Sequence, residues 1–172
     1  SSPKTATAPA QPQPEPAQKP DESSPASTRE RGRLAGMTQA HNVVRKKVGV
    51  APLQWSDDLA VYAEKWAKQL QRKQCHLAHR PGRGKFAQKH GENLFSITGA
   101  QASAAEVVNS WAQEEADYDY RKNRCRGMCG HYTQVVWKDT TEVGCALATC
   151  GQTEVWVCNY NPPGNFIGER PY

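Results

Sequence analysis

The sequence predicts an α+β domain over residues 34–172, a sheet covered by helices, behind a disordered proline-rich tail at residues 1–33. Three observations predict it. Apolar residues recur at helical spacing in the first part of the domain, and after Arg121 the pattern changes to runs of β-formers. All five tryptophans and all six cysteines lie beyond Arg33, so the core-forming side chains are gathered in one stretch.

The tail comes first. Between Ser1 and Arg33 there is no Val, Ile, Leu, Met, Phe, Trp, Tyr or Cys, and seven of the twelve prolines fall there. Such a segment buries too little apolar surface to offset its ordering entropy. The spacing of Pro12, Pro14 and Pro16 favours polyproline II, the conformation of a semi-rigid spacer, and a linker explains it better than a specific proline-motif ligand. With no apolar anchor, cutting the chain before Leu34 is expected to leave the melting temperature unchanged.

Leu34, Met37, His41, Val44 and Val48 then recur at helical spacing, and Gly49 supplies a stop. His41 lies on the apolar face and reads as a hydrogen-bonded core residue rather than a ligand. Pro52–Trp55 is an extended connector. Ser56 caps a second helix, with Asp57 and Asp58 in its first turn and Leu59, Tyr62, Ala63, Trp66 and Leu70 as its stripe. From Cys75 to Phe95 periodicity stops; Pro81, Gly82, Gly84, Gly91 and three histidines mark a long irregular loop. Ser103 and Glu106 form a capping box that opens a helix with Val107, Val108, Trp111 and the pair Glu114–Glu115. Three strands are expected after it: Tyr132–Trp137, a run through Val143, Cys145, Leu147 and Thr149, and Val155–Tyr160.

Six cysteines in a small domain imply three disulfides and an oxidising compartment, and the spacings fit no common zinc module. No apolar run approaches the ~20 residues that cross a bilayer. With no signal peptide in view, the chain reads as a mature secreted form. The net charge of +5 is mild, and without aromatic-basic alternation nucleic acid is not an expected partner.

Four motifs carry a family resemblance: His41–Arg45 (HNVVR), Gly91–Leu94 (GENL), Gly130–Trp137 (GHYTQVVW) and Val155–Asn165 (VWVCNYNPPGN). Together they resemble the CAP superfamily of cysteine-rich secretory, antigen 5 and pathogenesis-related proteins. The ending Gly164–Tyr172 looks like the plant pathogenesis-related family 1 branch. The resemblance covers about Met37 to Tyr172. It implies a three-layer α-β-α sandwich and a cleft tetrad of His79, Glu92, Glu114 and His131. Helical spacing alone would favour Glu115 over Glu114; only the family pattern selects Glu114. The resemblance also supplies disulfides Cys75–Cys145, Cys125–Cys129 and Cys150–Cys158, since six cysteines allow fifteen pairings.

Two imidazoles and two carboxylates suit a divalent metal such as zinc, though none is required, or a buried polar network that pins loop, helix and strand together. Catalysis is not expected. No hydrolase elbow or free thiol offers a nucleophile, and a metal-dependent hydrolase is the weakest reading. The resemblance implies instead a secreted, non-enzymatic plant-type defence protein of the apoplast or cell wall, antimicrobial through sterols or other lipids of microbial membranes. Tyr118 and Tyr120 match the start of the lipid-binding loop of relatives, with Cys125 standing at its last aromatic position. The alternative is a precursor that releases residues 162–172 between Asn161 and Pro162 as a defence signal for a receptor. Contact with cell-wall polymers is the role that remains for the tail.

Overall fold

The computed structural model describes residues 30–172. The proline-rich stretch at residues 1–29, with any wall-polymer contact it makes, lies outside the described residues. The domain begins slightly before the expected boundary. Glu30 accepts a hydrogen bond from the Thr38 N–H, and Gly32–Leu34 form a 3-10 turn. Arg33 grips Glu154 through both guanidinium nitrogens, at 2.5 and 2.9 Å, donates to the Ala102 carbonyl and lies over Trp156. Glu154 is buried. Cutting before Leu34 would strip a buried carboxylate of its cation and is expected to lower stability, where the sequence alone led to the expectation of no change.

Among the described residues, four α-helices and six strands follow. Helix α1 is Met37–Lys47, α2 Asp57–Arg72, α3 Ala104–Ala112 and α4 Gly130–Val135. The strands are β1 Gln54–Trp55, β2 Gly91–Thr98, β3 Tyr118–Asp119, β4 Arg124–Cys125, β5 Glu142–Cys150 and β6 Thr153–Asn161. Ser56 and Ser103 cap α2 and α3 through the N–H groups of Leu59 and Glu106, and the capping box on α3 is complete. No helix among the described residues is long and apolar enough to cross a membrane.

The main sheet runs β1-β5-β6-β2, antiparallel except that β1 pairs parallel with β5; β3 and β4 form a separate hairpin. One face of the sheet carries α2, packed on Ala146, Ala148, Val155 and Val157. The other carries α1, α3 and α4 around Trp111, Tyr132, Val143, Trp156 and Tyr160. The result is a three-layer α-β-α sandwich. His41 sits in the second core as expected, wholly buried. Its Nδ1 meets the Met37 carbonyl at 2.8 Å and therefore carries the proton, so Nε2 accepts from the Tyr160 hydroxyl, also at 2.8 Å. Burial lowers its pKa to about 4.

Two secondary-structure expectations are corrected. The loop after Cys75 ends at His90, because β2 begins at Gly91 and pairs with β6 along its whole length. The stretch expected as a strand at Tyr132–Trp137 begins inside helix α4. Its buried Tyr132, Val135 and Val136 stand at i, i+3 and i+4, so the β-branched residues share one helical face.

The disulfides are Cys75–Cys150, Cys125–Cys129 and Cys145–Cys158. Two of the three expected pairings, Cys75–Cys145 and Cys150–Cys158, are thus corrected. The β5–β6 register puts Cys145 directly opposite Cys158 but Cys150 opposite Thr153, so Cys150 and Cys158 stand several residues apart along the ladder. Side chains alternate along β5. Cys145 faces the α1/α3 layer, while Cys150 shares the α2 face with Ala146 and Ala148, where Cys75 arrives just beyond the end of α2. The 75-residue separation closed by Cys75–Cys150 is worth about 4 kcal/mol in the chain-entropy model.

Candidate functional site: two histidine–glutamate pairs and an aromatic hairpin

Glu92 stands on β2 with a fully buried side chain. Its Oε1 accepts from His79 Nδ1 at 2.9 Å and from the Arg80 N–H at 3.0 Å. Its Oε2 accepts from Asn159 Nδ2 at 3.3 Å and lies 3.5 Å from Arg80 Nε. The Arg80 guanidinium is itself buried, 3.7 Å above the Tyr62 ring, and donates to the Tyr62 carbonyl. Burial pulls its pKa below the ordinary arginine range, while Tyr62 and Glu92 oppose that shift. One carboxylate thus nails the loop before β2 to the sheet.

Glu114 lies in the 3-10 turn Gln113–Asp117 that follows α3. Its Oε1 accepts from His131 Nδ1 at 2.6 Å. Its Oε2 accepts from the backbone N–H groups of His131 and Tyr132, at 2.9 and 3.1 Å. Those are orphan donors of the first turn of α4, whose own N-cap residue, Cys129, makes no side-chain cap. Glu114 therefore caps α4 from outside and meets its positive dipole end. The His131 ring stacks on Trp111 at 6.3 Å. At the far end of α4 the buried Arg45 donates to the carbonyls of Val135, Trp137 and Thr140 at 2.9, 2.9 and 3.0 Å. Burial lowers the Arg45 pKa to about 10, which leaves the charge in place at the helix C-terminus.

The structure thus assembles His79 with Glu92 and His131 with Glu114. It does not assemble the four into one donor set: among the described residues no group of three or more His, Cys, Asp and Glu could hold a metal ion. Each imidazole Nδ1 is occupied by a carboxylate, and each carboxylate is occupied by backbone or side-chain N–H groups. Each carboxylate thus fixes its imidazole through Nδ1 and leaves Nε2 as the ring nitrogen without a protein partner among the described residues. Among the described residues no serine, threonine or cysteine is hydrogen-bonded to either histidine, and no cysteine is free.

Spacing missed two residues of this site. Arg80 looks like one of several loose basic residues in a loop, and only its burial reveals it. Glu114 was hidden by the 3.6-residue period, because the 3-10 turn tightens the winding and swings it, rather than Glu115, towards α4.

Tyr118 and Tyr120 lie on and just after β3, their rings 6.4 Å apart. Tyr120 is 46 % exposed and stacks on Tyr172 at 4.9 Å with an interplanar angle of 10°. Tyr118 also meets Tyr132 and Tyr172, and its hydroxyl donates to Asn123. Arg170 lies over Tyr120 and donates to its carbonyl. The C-terminal segment is thus a strap across the hairpin and α4. Asn161 ends β6, its carbonyl accepting from the Thr141 N–H at 3.0 Å and its amide donating to Glu142 at 3.0 Å. The Pro162 carbonyl accepts from Thr140 Oγ1 at 2.8 Å.

The match that decides the family spans residues 38–160 and is to the CAP, cysteine-rich secretory protein family. The chain belongs to that family. This CAP domain is 43 % identical over 134 residues to pathogenesis-related protein 1 of Arabidopsis thaliana, covering 77 % of this chain and 78 % of that protein. It is 45 % identical over 136 residues to pathogenesis-related protein 1A of Nicotiana tabacum, covering 77 % of each. Among solved structures, venom allergen-like protein 4 of Schistosoma mansoni matches with a TM-score of 0.62 and 31 % identity, over 80 % of this chain and 91 % of that one. The CAP domain shares their fold, with both histidine–glutamate pairs inside the matched span.

Proposed function

We propose that this CAP domain is a secreted, plant-type defence protein of the pathogenesis-related 1 kind that works by binding sterols or related lipids of microbial membranes, without catalysis. The likeness to plant pathogenesis-related 1 proteins over three quarters of both chains supports the defence role. Three disulfides fit an oxidising, extracellular setting. The observation that carries the binding mode is the half-exposed ring of Tyr120 beside Tyr118 and Tyr172, an aromatic face with polar rims that suits a flat apolar ring system. The histidine–glutamate pairs support a binding scaffold over an enzyme, because among the described residues neither histidine is hydrogen-bonded to a serine, threonine or cysteine that could serve as a nucleophile.

The test is a titration with a fluorescent sterol. Tyr120→Ala is expected to weaken binding by about fivefold or more, equivalent to about 1 kcal/mol, with the fold unchanged. Unchanged affinity sinks the reading. Tyr118→Ala is the poorer probe, since its contacts with Tyr132 and Tyr172 make it part of the packing.

A second reading, release of residues 162–172 as a signal for a receptor, is favoured by the exposure of Phe166 and Ile167 near the middle of that segment. The Asn161–Pro162 junction is tied down at β6, so a protease must first peel the strap. Mass spectrometry of the extracellular protein decides it: recovery of only intact chain counts against release.

A further inference from the structure

Two tight turns stand side by side. In the β3–β4 hairpin the Asn123 N–H donates to the Tyr120 carbonyl at 3.3 Å, which puts Arg121 and Lys122 at the tip. In the C-terminal strap the Glu169 N–H donates to the Phe166 carbonyl at 3.1 Å, which puts Ile167 and Gly168 at the tip. Gly168 has φ +86°, the left-handed value that the third residue of a type II turn needs. The Asn123 side-chain amide fastens the turns together by donating to the carbonyls of Gly168 and Glu169, at 3.5 and 3.1 Å. Arg170 adds bonds to the Tyr120 and Arg121 carbonyls. Both tips are therefore held in place.

What the tips display differs in kind. Ile167 is wholly exposed, although turn tips ordinarily carry Gly, Pro, Asn, Asp or Ser. Phe166 beside it is 52 % exposed, and Met128, in the loop closed by Cys125–Cys129, is 67 % exposed. With Tyr120 these make four of the seven large apolar side chains exposed among the described residues; the rest, Val43, Val61 and Leu77, are scattered over α1, α2 and the loop after it. On the hairpin, Arg121, Lys122, Arg124 and Arg126 are all exposed. Arg126 meets Asp119 at 3.7 Å, and the other three have no acidic partner among the described residues. On the strap Glu169 offsets Arg170, so the positive excess of the hairpin stands uncompensated.

We propose that this two-turn face docks on the surface of an anionic lipid bilayer, with Ile167 and Phe166 entering the headgroup–acyl boundary and Arg121, Lys122 and Arg124 meeting lipid phosphates. An exposed isoleucine on a rigid turn gains when it leaves water for hydrocarbon. Unpaired cations beside it are drawn to a negative leaflet over about one Debye length. An anionic wall polymer would pair with the cations and leave Ile167 in water, so the combination favours a bilayer. The docking needs no sterol and does not depend on the sterol reading. It would bring Tyr120, at the base of the same hairpin turn, to any sterol that the bilayer holds.

Co-sedimentation of the full chain with sterol-free vesicles tests this. Vesicles of phosphatidylcholine with about 30 mol % phosphatidylserine should bind at least about tenfold more tightly than pure phosphatidylcholine, and most of that gain should vanish in about 0.5 M salt. The double variant Arg121→Glu, Lys122→Glu should weaken binding by at least about tenfold. Ile167→Ser, which leaves every charge in place, should weaken it by about fivefold. The control is Lys65→Glu with Lys73→Glu, the same change of charge on and just after α2, across the sheet; it should alter affinity by less than about twofold. Equal binding to both kinds of vesicle, an equal loss in the control, or undiminished binding by Ile167→Ser would overturn the proposal. Binding to polygalacturonate with none to vesicles would overturn it in favour of a wall polymer. Because the vesicles hold no sterol, this result and the sterol titration can fail separately.

Discussion

Glu92 and Glu114 each hold one histidine Nδ1 and at least one backbone N–H, yet their surroundings differ. Glu92 is fully buried on a strand, opposite a buried arginine, with a histidine whose side chain is 55 % exposed. Glu114 lies in the first turn of a 3-10 segment, 15 % exposed, with a histidine that is 25 % exposed and stacked on Trp111. The first balances a buried charge and anchors a loop; the second caps a helix. Two pairs that look alike in sequence thus perform two structural tasks, and the histidines are the lesser partner in both.

Breaking the first pair should cost most. Glu92→Ala leaves the Arg80 guanidinium buried without its carboxylate and frees the loop before β2, a loss of about 3 kcal/mol in urea unfolding. A loss under about 1 kcal/mol would mean that Tyr62 holds Arg80 unaided.

Acid comes next, and it acts on a third histidine. The folded-state pKa of His41 is lowered to about 4, below the ordinary 6.5. His41 therefore contributes its full stability above pH 6.5. That contribution falls as pH drops towards 4, because the unfolded chain takes up a proton that the folded chain refuses. The loss reaches about 3 kcal/mol near pH 4. A folded His41→Gln variant should show a flatter stability profile over that window; an unchanged slope would place the acid sensitivity elsewhere.

Removing the cap should cost less than removing the anchor. Glu114→Ala is expected to lose about 1–2 kcal/mol and to speed amide exchange in α4, with the sheet amides unaffected. Glu114→Gln keeps an acceptor for the two N–H groups and should recover part of the loss. If Glu114→Ala proves as costly as Glu92→Ala, the division into anchor and cap fails. The smallest effect belongs to His79→Ala, below about 1 kcal/mol, since the ring is half-exposed and Glu92 keeps its other donors.

Much of this was legible in the residues and some of it was not. The four motifs led to His79, Glu92, Glu114 and His131, and the structure joins them in two pairs. Arg80 was not legible, because a buried arginine in a glycine-rich loop leaves no periodic trace. Nor was the anchoring of Arg33, whose partner Glu154 lies 121 residues away. The sequence places Arg33 at the end of a tail with no apolar anchor, and the anchor turns out to be polar.

By itself the sequence determined what depends on neighbours in the chain: α2 and α3 with their serine caps, the stripe that buries Trp66 and Leu70, the core role of His41, and the confinement of every cysteine to one domain. Only the tertiary structure decided α4, the partners of Cys75, Cys145, Cys150 and Cys158, and the physical reason that Glu114 rather than Glu115 meets α4. The six residues of α4 are rich in β-formers and too few for a stable isolated helix. They are helical because Glu114 and Arg45, distant in sequence, meet the two ends of their dipole. Cysteine pairing follows from which face of β5 each side chain takes and from the β5–β6 register, and register is a property of two strands together.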